Sequence, residues 1–531
     1  MKKFLPIFIL LFLVGLFRFN LIRHGALSIP DEVQYWEAGD ALEKLIYKHN
    51  FPGFCAHIAG ISGLFRSTDK PGHITIELIP AMVQGIVWKI SGGRLVRDPQ
   101  TQMITSGIHF RNPEFMRVAT AFNVILSLFS LWIFYRITLL LFKENQSVAL
   151  LGTAVYALLA NTNIYIRHIL PYNYALPVFF FSLYLALKKY FQKPGPFSLK
   201  TGCALGLLSG FGFAIYPGYY FFPVLIFGII VWAGKEALFS PSQLVRYIAF
   251  ALSSVSVLLF YELIARIGGT TYLGHLRDHA SVIIMGSFEE GFTFLPKYLF
   301  EVETFIGVFM MICTLLYIFK KKRNGATTEI FPRIFGIMLA GFLFHATVSL
   351  LRQMVFYGRL LHMYYPFLVW AMMAFLADLK PPIVKKILMG GALPVLSLLS
   401  FIKFSTAYSQ IAYPLDVLYQ EGIKTELIDS RNFVHETEPY LRYSSPPPKD
   451  FKTDAPYRIE SNFILVNFCY FSPLEGKGFK PFIPPANAKL LYQRPHLQSF
   501  PAYTYEGFTV KDRKLFKQRN YQVSIYELVQ K

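Results

Sequence analysis

The stretch ITIELIPAMVQGIVWKI, residues 74–90, decides how this chain is arranged. It is nearly apolar enough to span a bilayer, yet Glu77, Pro80, Gln84 and Lys89 interrupt it. If it crosses, every later segment changes side. Apolar runs of spanning length fall near 4–22, 114–142, 147–166, 170–190, 200–216, 218–234, 244–266, 300–319, 330–350, 360–377 and 386–404. The basic residues between them discriminate. With 74–90 left out of the count, Lys2 and Lys3 share a side with three clusters. These are Lys188-Lys189-Lys193-Lys200, Lys320-Lys321-Lys322-Arg323 and Lys380-Lys385-Lys386. Cytoplasmic loops collect Lys and Arg, so the positive-inside rule selects this arrangement. Residues 74–90 are therefore expected as an interfacial or re-entrant helix, with about eleven spans and the N-terminus inside.

Composition agrees. The 531 residues are 54% hydrophobic and 17% aromatic, with 53 Phe and 32 Tyr. These proportions fit lipid-facing helices with aromatic belts at both interfaces. A formal charge of +20 would point to nucleic acid in a soluble protein. In this chain cytoplasmic loops and anionic membrane lipid account for it, and no nucleic-acid partner is expected. The fold class is thus a polytopic α-helical membrane protein. The N-terminal Met-Lys-Lys and apolar run are read as an uncleaved span, because Phe17-Arg18-Phe19-Asn20 offers no small-x-small cleavage site. The four cysteines lack metal-ligand spacing. Cys203 and Cys313 fall in spans, while Cys55 and Cys469 fall on the same side, where a disulfide is open.

This topology gives residues 1–404 as the transmembrane unit, with 20–113 as a large outer loop and 267–299 as a second. Residues 405–531 differ in kind. They contain Pro446-Pro447-Pro448, many charges, strand-like runs at 463–471 and 521–528, and a helix start at Thr509-x-x-Asp512. A small α/β domain on the outer side is expected.

Polar residues divide unequally between the two sides. Inner ends of the spans carry Lys and Arg anchors. Outer ends carry Asn161, Asn163, Arg167, His168, Tyr172, Asn173, Glu262, Arg266, His345, Arg352, Arg359 and His362. Polar groups near hydrocarbon are costly unless they pair or line a wet cavity. Taken singly, each reads rather as an interface anchor, and Glu262 and Arg266 at i,i+4 fit a simple ion pair. Taken together they point to a cavity open to the outside. Just beyond the first span, Asp31-Glu32 opens an amphipathic segment, 28–48. Ser28-x-x-Asp31 has the form of a capping box, with Pro30 suited to a first helical turn. A carboxylate held at a helix start stays ionised and oriented, so a cap and a general base are compatible roles. Lys70-Pro71-Gly72-His73 precedes the interfacial segment, and Arg167-His168 lies between two spans. Cations at this depth suit lipid phosphate.

With these residues in place, the chain resembles the GT-C glycosyltransferases, among them protein O-mannosyltransferases and lipid A aminoarabinose transferases. The resemblance rests on Asp31-Glu32-x-x-Tyr35-Trp36 after the first span, Lys70-Pro71, Arg117 at the next span, and Arg167 before Pro171-Tyr172-Asn173. Gly206-x-x-x-Gly210-x-Gly212 and Arg359-x-x-His362-x-Tyr364-Tyr365-Pro366 complete it, over residues 1–400. The chain departs from the family at Gly72, where a second proline is usual, and at Tyr216-Pro217, where a basic residue is common.

The resemblance implies inverting transfer of a sugar from a polyprenyl-phosphate donor to a lipid, glycan or protein acceptor at the outer face. Asp31 would be the base, and Glu32 would position the acceptor or a divalent cation. Whether such a metal is bound at Asp31 and Glu32 is left open. Lys70, Arg167, Arg359 and Arg352 would bind the donor phosphate. Tyr35, His73, His168, Tyr172, Asn173 and His362 would line the pocket. The setting it fits is a bacterial inner membrane with the C-terminal domain in the periplasm. A lipid-linked glycan ligase or polymerase would use similar cations without needing the acidic pair. A transporter would need polar residues through both leaflets and broken helices near mid-membrane.

Overall fold

The computed structural model describes residues 4–21, 116–167, 172–192, 195–267, 271–274, 290–320, 325–351 and 358–409. It also describes short pieces at 49, 51–52, 94–95, 108–109, 277, 433–434, 463–467, 486, 488–495 and 522–528. The described chain is mostly helical. In order come α1 (Leu5–Leu21), α2 (Met116–Leu141), α3 (Gln146–Leu158), α4 (Ala160–Ile164), α5 (Tyr172–Gln192), α6 (Leu199–Ile215), α7 (Phe221–Ala233) and α8 (Pro241–Ile267). They are followed by α9 (Phe294–Tyr298), α10 (Thr304–Phe319), α11 (Phe331–Leu350), α12 (Gly358–Leu361), α13 (Tyr365–Ala377), α14 (Pro382–Ile387) and α15 (Leu393–Ser409). Among the described residues, five helical stretches are long and apolar enough to cross a membrane: Thr120–Leu141, Pro241–Ile267, Gly291–Phe319, Phe331–Leu350 and Pro382–Thr406. Their outward faces are apolar, as Leu252, Leu259, Leu263 and Phe305 illustrate. Such faces belong in lipid rather than water.

The interior is built on aromatic rings. Phe134 of α2 stacks on Trp370 of α13 with centroids 5.0 Å apart, and on Tyr156 of α3 at 4.5 Å. The buried Trp370 indole donates to Thr138 Oγ1 at 2.8 Å, so its one polar atom is satisfied inside hydrocarbon. Helices α6 and α8 pack through small residues. A Cβ at Gly210 would lie 2.9 Å from Ser254 Cα, closer than real side chains come. Ser254 Oγ then donates to Gly206 O at 2.9 Å. The glycine series that contributes to the family resemblance is thus occupied in helix packing, as small-xxx-small stripes are in membranes.

The two ends of the bundle differ. At one end Lys143 Nζ donates to Gly325 O at 2.6 Å, Tyr190 to Glu329 at 3.2 Å, and Lys320 pairs with Asp378 at 3.0 Å. At the other end lie Arg18, residues 157–163, Tyr298, Glu303, Gly358 and Tyr365. Helices α1 and α2 run antiparallel, since Phe4 meets Arg136 while Gly15 faces Leu128.

One expectation requires correction. The run 147–166 reads in sequence as a single span, but it breaks at Leu159, whose backbone is extended (φ −62°, ψ 136°). No proline or glycine causes this. The Thr162 and Asn163 side chains favour it locally. Thr162 Oγ1 takes the carbonyls of Tyr156 and Leu159, and Asn163 Nδ2 takes those of Ala157 and Leu159. Such side chains compete with the helical ladder for the same carbonyls.

In the C-terminal part, β3 (Phe433–Val434), β4 (Phe463–Asn467), β5 (Ala488–Pro495) and β6 (Gln522–Leu528) form one sheet in the order β3-β4-β6-β5. The β3–β4 pair is parallel and the others antiparallel. Two of the strands, β4 and β6, answer to the runs expected from sequence, while β3 and β5 have no counterpart among them. A further short pair, β1 (Arg94–Leu95) with β2 (Ile108–His109), lies between α1 and α2 in sequence. The interfacial segment 74–90, the helix start at Thr509, and Cys55 and Cys469 lie outside the described residues.

Candidate functional site

Breaking a helix in hydrocarbon exposes orphan carbonyls on one side of the break and orphan amides on the other. At Leu159 both sets are met, and both by charges. On the carbonyl side, Arg18 of α1 donates through Nη2 to Ala157 O at 3.3 Å and through Nε to Asn163 Oδ1 at 3.0 Å. On the amide side, Glu303 accepts the amide of Ala160 on Oε2 at 2.7 Å and that of Asn161 on Oε1 at 2.8 Å. Arg18 and Glu303 are each 1% exposed. Neither forms a salt bridge with a described side chain. Each is compensated instead by a helix end of the opposite sign: a guanidinium at the C-terminus of α3, a carboxylate at the N-terminus of α4.

Unusual backbone seats Glu303. Residues Leu299–Glu303 form a π turn, and Thr304 has φ +53° and ψ −122°. For a β-branched residue this conformation costs roughly 1–3 kcal/mol and needs external support. Ser400 of α15 supplies it, with Oγ accepting from Thr304 Oγ1 and from the Ile306 amide, each at 3.0 Å.

Asn161 is the hub of the joint. Its Nδ2 donates to Tyr298 Oη at 2.7 Å and to Gly358 O at 3.0 Å, and a carbonyl partner fixes the amide's orientation. Tyr365 lies beside the Glu303 carboxylate. His362 lies against the Asn161 backbone, its ring 5.2 Å from Tyr165 and 5.9 Å from Tyr172. Among the described residues, Asn161 Oδ1 and His362 Nε2 are buried and meet no hydrogen-bond partner. Beyond the joint, α4 runs into a 3-10 turn, Tyr165–Arg167. That turn is held from two sides: Asn173 Nδ2 donates to Tyr165 O and Asn123 Nδ2 to Ile166 O, both at 3.1 Å.

Of the residues singled out from sequence, Tyr172, Asn173 and His362 come together around Tyr165. Arg167 ends the 3-10 turn and Arg359 lies within α12, both by backbone position. Asp31, Glu32, Tyr35, Lys70, His73, His168 and Arg352 lie outside the described residues. Among the other polar residues expected at the outer ends, Glu262 pairs with Arg266 at 2.6 Å and also accepts from Thr271 and the Leu273 amide, a structural role. His345 Nδ1 is 3.2 Å from the Tyr220 hydroxyl.

Arg18, Glu303 and Tyr298 do not stand out in the sequence. The signal for the first two is nonetheless present: an ionisable residue in the terminal turn of an apolar run is expensive, and so requires a partner. Among the described residues no three His, Cys, Asp or Glu side chains group as a metal site. Comparison with family models and with curated proteins finds no match to this chain.

Proposed function

We propose that this chain is an integral membrane glycosyltransferase that moves a sugar from a polyprenyl-phosphate donor to an acceptor hydroxyl at the outer face. The observation that carries the reading is one-sidedness. The buried polar groups of the described bundle concentrate at the end opposite the lysine contacts, around the break at Leu159. Helix α1 finishes at that end, ten residues before Asp31. The Arg167 turn and α12, which carries Arg359, stand at the same end.

The antiparallel run of α1 and α2 supports an intervening segment that returns to the side it left, hence about eleven crossings with the N-terminus inside. The C-terminal sheet then belongs to a periplasmic α/β domain of a bacterial inner-membrane protein. The break also favours an enzyme over a transporter. Thirteen residues of α3 rise about 20 Å from the lysine end, which puts the joint about two-thirds of the way across a ~30 Å core rather than at its middle.

In the reaction, the acceptor oxygen attacks the anomeric carbon as the bond to the phosphate oxygen breaks, which inverts the centre. Asp31 takes the acceptor proton, and Glu32 positions the acceptor. Lys70, Arg167, Arg359 and Arg352 stabilise the departing polyprenyl phosphate. The test compares wild type and Asp31→Asn for transfer from radiolabelled polyprenyl-phosphate mannose, glucose and 4-aminoarabinose, using a membrane extract as acceptor source. Transfer by wild type and its loss in a folded Asp31→Asn protein are expected. Equal transfer by both removes Asp31 as the base.

A further inference from the structure

Glu303 takes no part in the proposed reaction, yet the fold distorts itself to hold it. The π turn at Leu299–Glu303 and the positive φ of Thr304 aim its carboxylate at α4. Gly307 completes the seat, since a Cβ there would come 2.7 Å from Glu303 Cβ and collide with the Leu299 carbonyl. A helix cap alone needs none of this; a serine or aspartate one residue before α4 would serve. The chain beyond α4 gives the arrangement a purpose. The five residues Ala160–Ile164 lead directly into the Tyr165–Arg167 turn. That turn's carbonyls are held by Asn123 and Asn173. Because α4 leads into the turn with no intervening loop, a shift at its start would bear on Arg167 against the restraint of Asn123 and Asn173.

We propose that Glu303 is a positioning residue, which fixes through α4 where the Arg167 turn stands at the outer end of the bundle. Its relevance to turnover rests on the reading of Arg167 as a contact to the donor phosphate, but its structural content does not.

The experiment has two arms. In a chain with Cys55 and Cys469 changed to serine, Arg167→Cys is labelled with a membrane-impermeant maleimide, alone and combined with Glu303→Ala, Glu303→Gln or Gly307→Ala. In parallel, kcat and KM for polyprenyl-phosphate sugars are measured for the three variants with Arg167 intact. We expect the Glu303→Ala and Gly307→Ala backgrounds to change the labelling rate about tenfold or more. We expect kcat/KM to fall by about 100-fold, the scale of an ångström's misplacement, with KM rising more than kcat falls. Glu303→Gln recovers only a minor part of both, because its carbonyl oxygen accepts one of the two amides while its NH2 donor faces the other.

Labelling that stays within twofold in every variant overturns the positioning role, whatever turnover does. If Glu303→Ala does not fold, Glu303→Gln and Gly307→Ala decide the matter by the same measure. Altered labelling in a protein that transfers no sugar supports the positioning role and counts against the glycosyltransferase reading instead.

Discussion

The Glu303 carboxylate accepts the main-chain amide of Asn161 at 2.8 Å across 142 positions of sequence. This bond turns a local irregularity into a tertiary one. Without it, and without its twin to Ala160, α4 would start with bare amides in a buried setting, and a continuous helix through Leu159 would be cheaper. With it, the chain can leave helical geometry inside a hydrophobic interior and resume it one residue later.

Arg18 performs the complementary task, and its removal should be costly. Arg18→Met keeps much of the side-chain volume but leaves Asn163 Oδ1 and one of the bonds to Ala157 O unmade. A hydrogen bond from a charged donor contributes about 1.5–3 kcal/mol, so a loss of that order is expected in thermal unfolding of the detergent-solubilised protein. Arg18→Lys should recover only part, because a point charge cannot reach both acceptors as a planar fork does. A methionine variant that melts with the wild type would refute this role for Arg18 at the joint.

Trp370 allows stacking and hydrogen bonding to be separated. Trp370→Phe keeps an aromatic ring against Phe134 but deletes the indole donor to Thr138, whose hydroxyl still donates to Phe134 O at 2.7 Å. A loss of about 0.5–1.5 kcal/mol is expected. Trp370→Ala removes the ring as well and should cost about 3–5 kcal/mol. The two melting curves, compared in one detergent, test the order. Equal losses would mean that the ring contributes little beyond its donor.

Close approach of α6 and α8 depends on residues too small to hold them apart. Gly210→Val places methyl groups where the Ser254 backbone already sits, so the helices must separate, at an expected cost of about 1–3 kcal/mol. Gly336→Ala in α11 is the control, because a Cβ there meets nothing within 4 Å. It should melt at or slightly above the wild-type temperature, since alanine is the better helix former. Parallel destabilisation of both variants would point to a general intolerance of glycine replacement.

Much of this architecture is legible in the sequence, and the limits have a physical cause. The described apolar runs fall mostly in helix, five stretches being long and apolar enough to cross a membrane, because in hydrocarbon the backbone must satisfy itself and composition alone signals that demand. The one-sided distribution of Asn161, Asn163 and His362 is legible for the same reason. The break at Leu159 is not, because it is decided by Arg18 and Glu303, which are remote in sequence and approach only in the folded bundle. The π turn is equally hidden. Nothing in Leu-Phe-Glu-Val-Glu announces it, and it persists through Ser400 on another helix. Strand β5 escapes because its Leu490–Tyr492 segment carries an irregular register against β6 that blurs simple alternation.

Orientation is the prediction on which the functional reading depends most. If the lysine contacts mark the cytoplasmic end, alkaline phosphatase fused after Gln192, Lys320 or Asp378 should be inactive, and fused after Tyr216 or Leu350 should be active. The argument is electrostatic. Lys143, Lys320 and Lys385 each spend a donor on a main-chain carbonyl at that end, of Gly325, Asp378 and Ala377 respectively. Translocating such a group of cations across the membrane opposes the bias that sets topology. The reverse pattern of fusion activity would put the Arg18–Glu303 joint on the cytoplasmic side. Donor sugars presented on periplasmic polyprenyl phosphate would then never meet Arg167, and the proposed reaction would fail on geometry before any chemistry was measured.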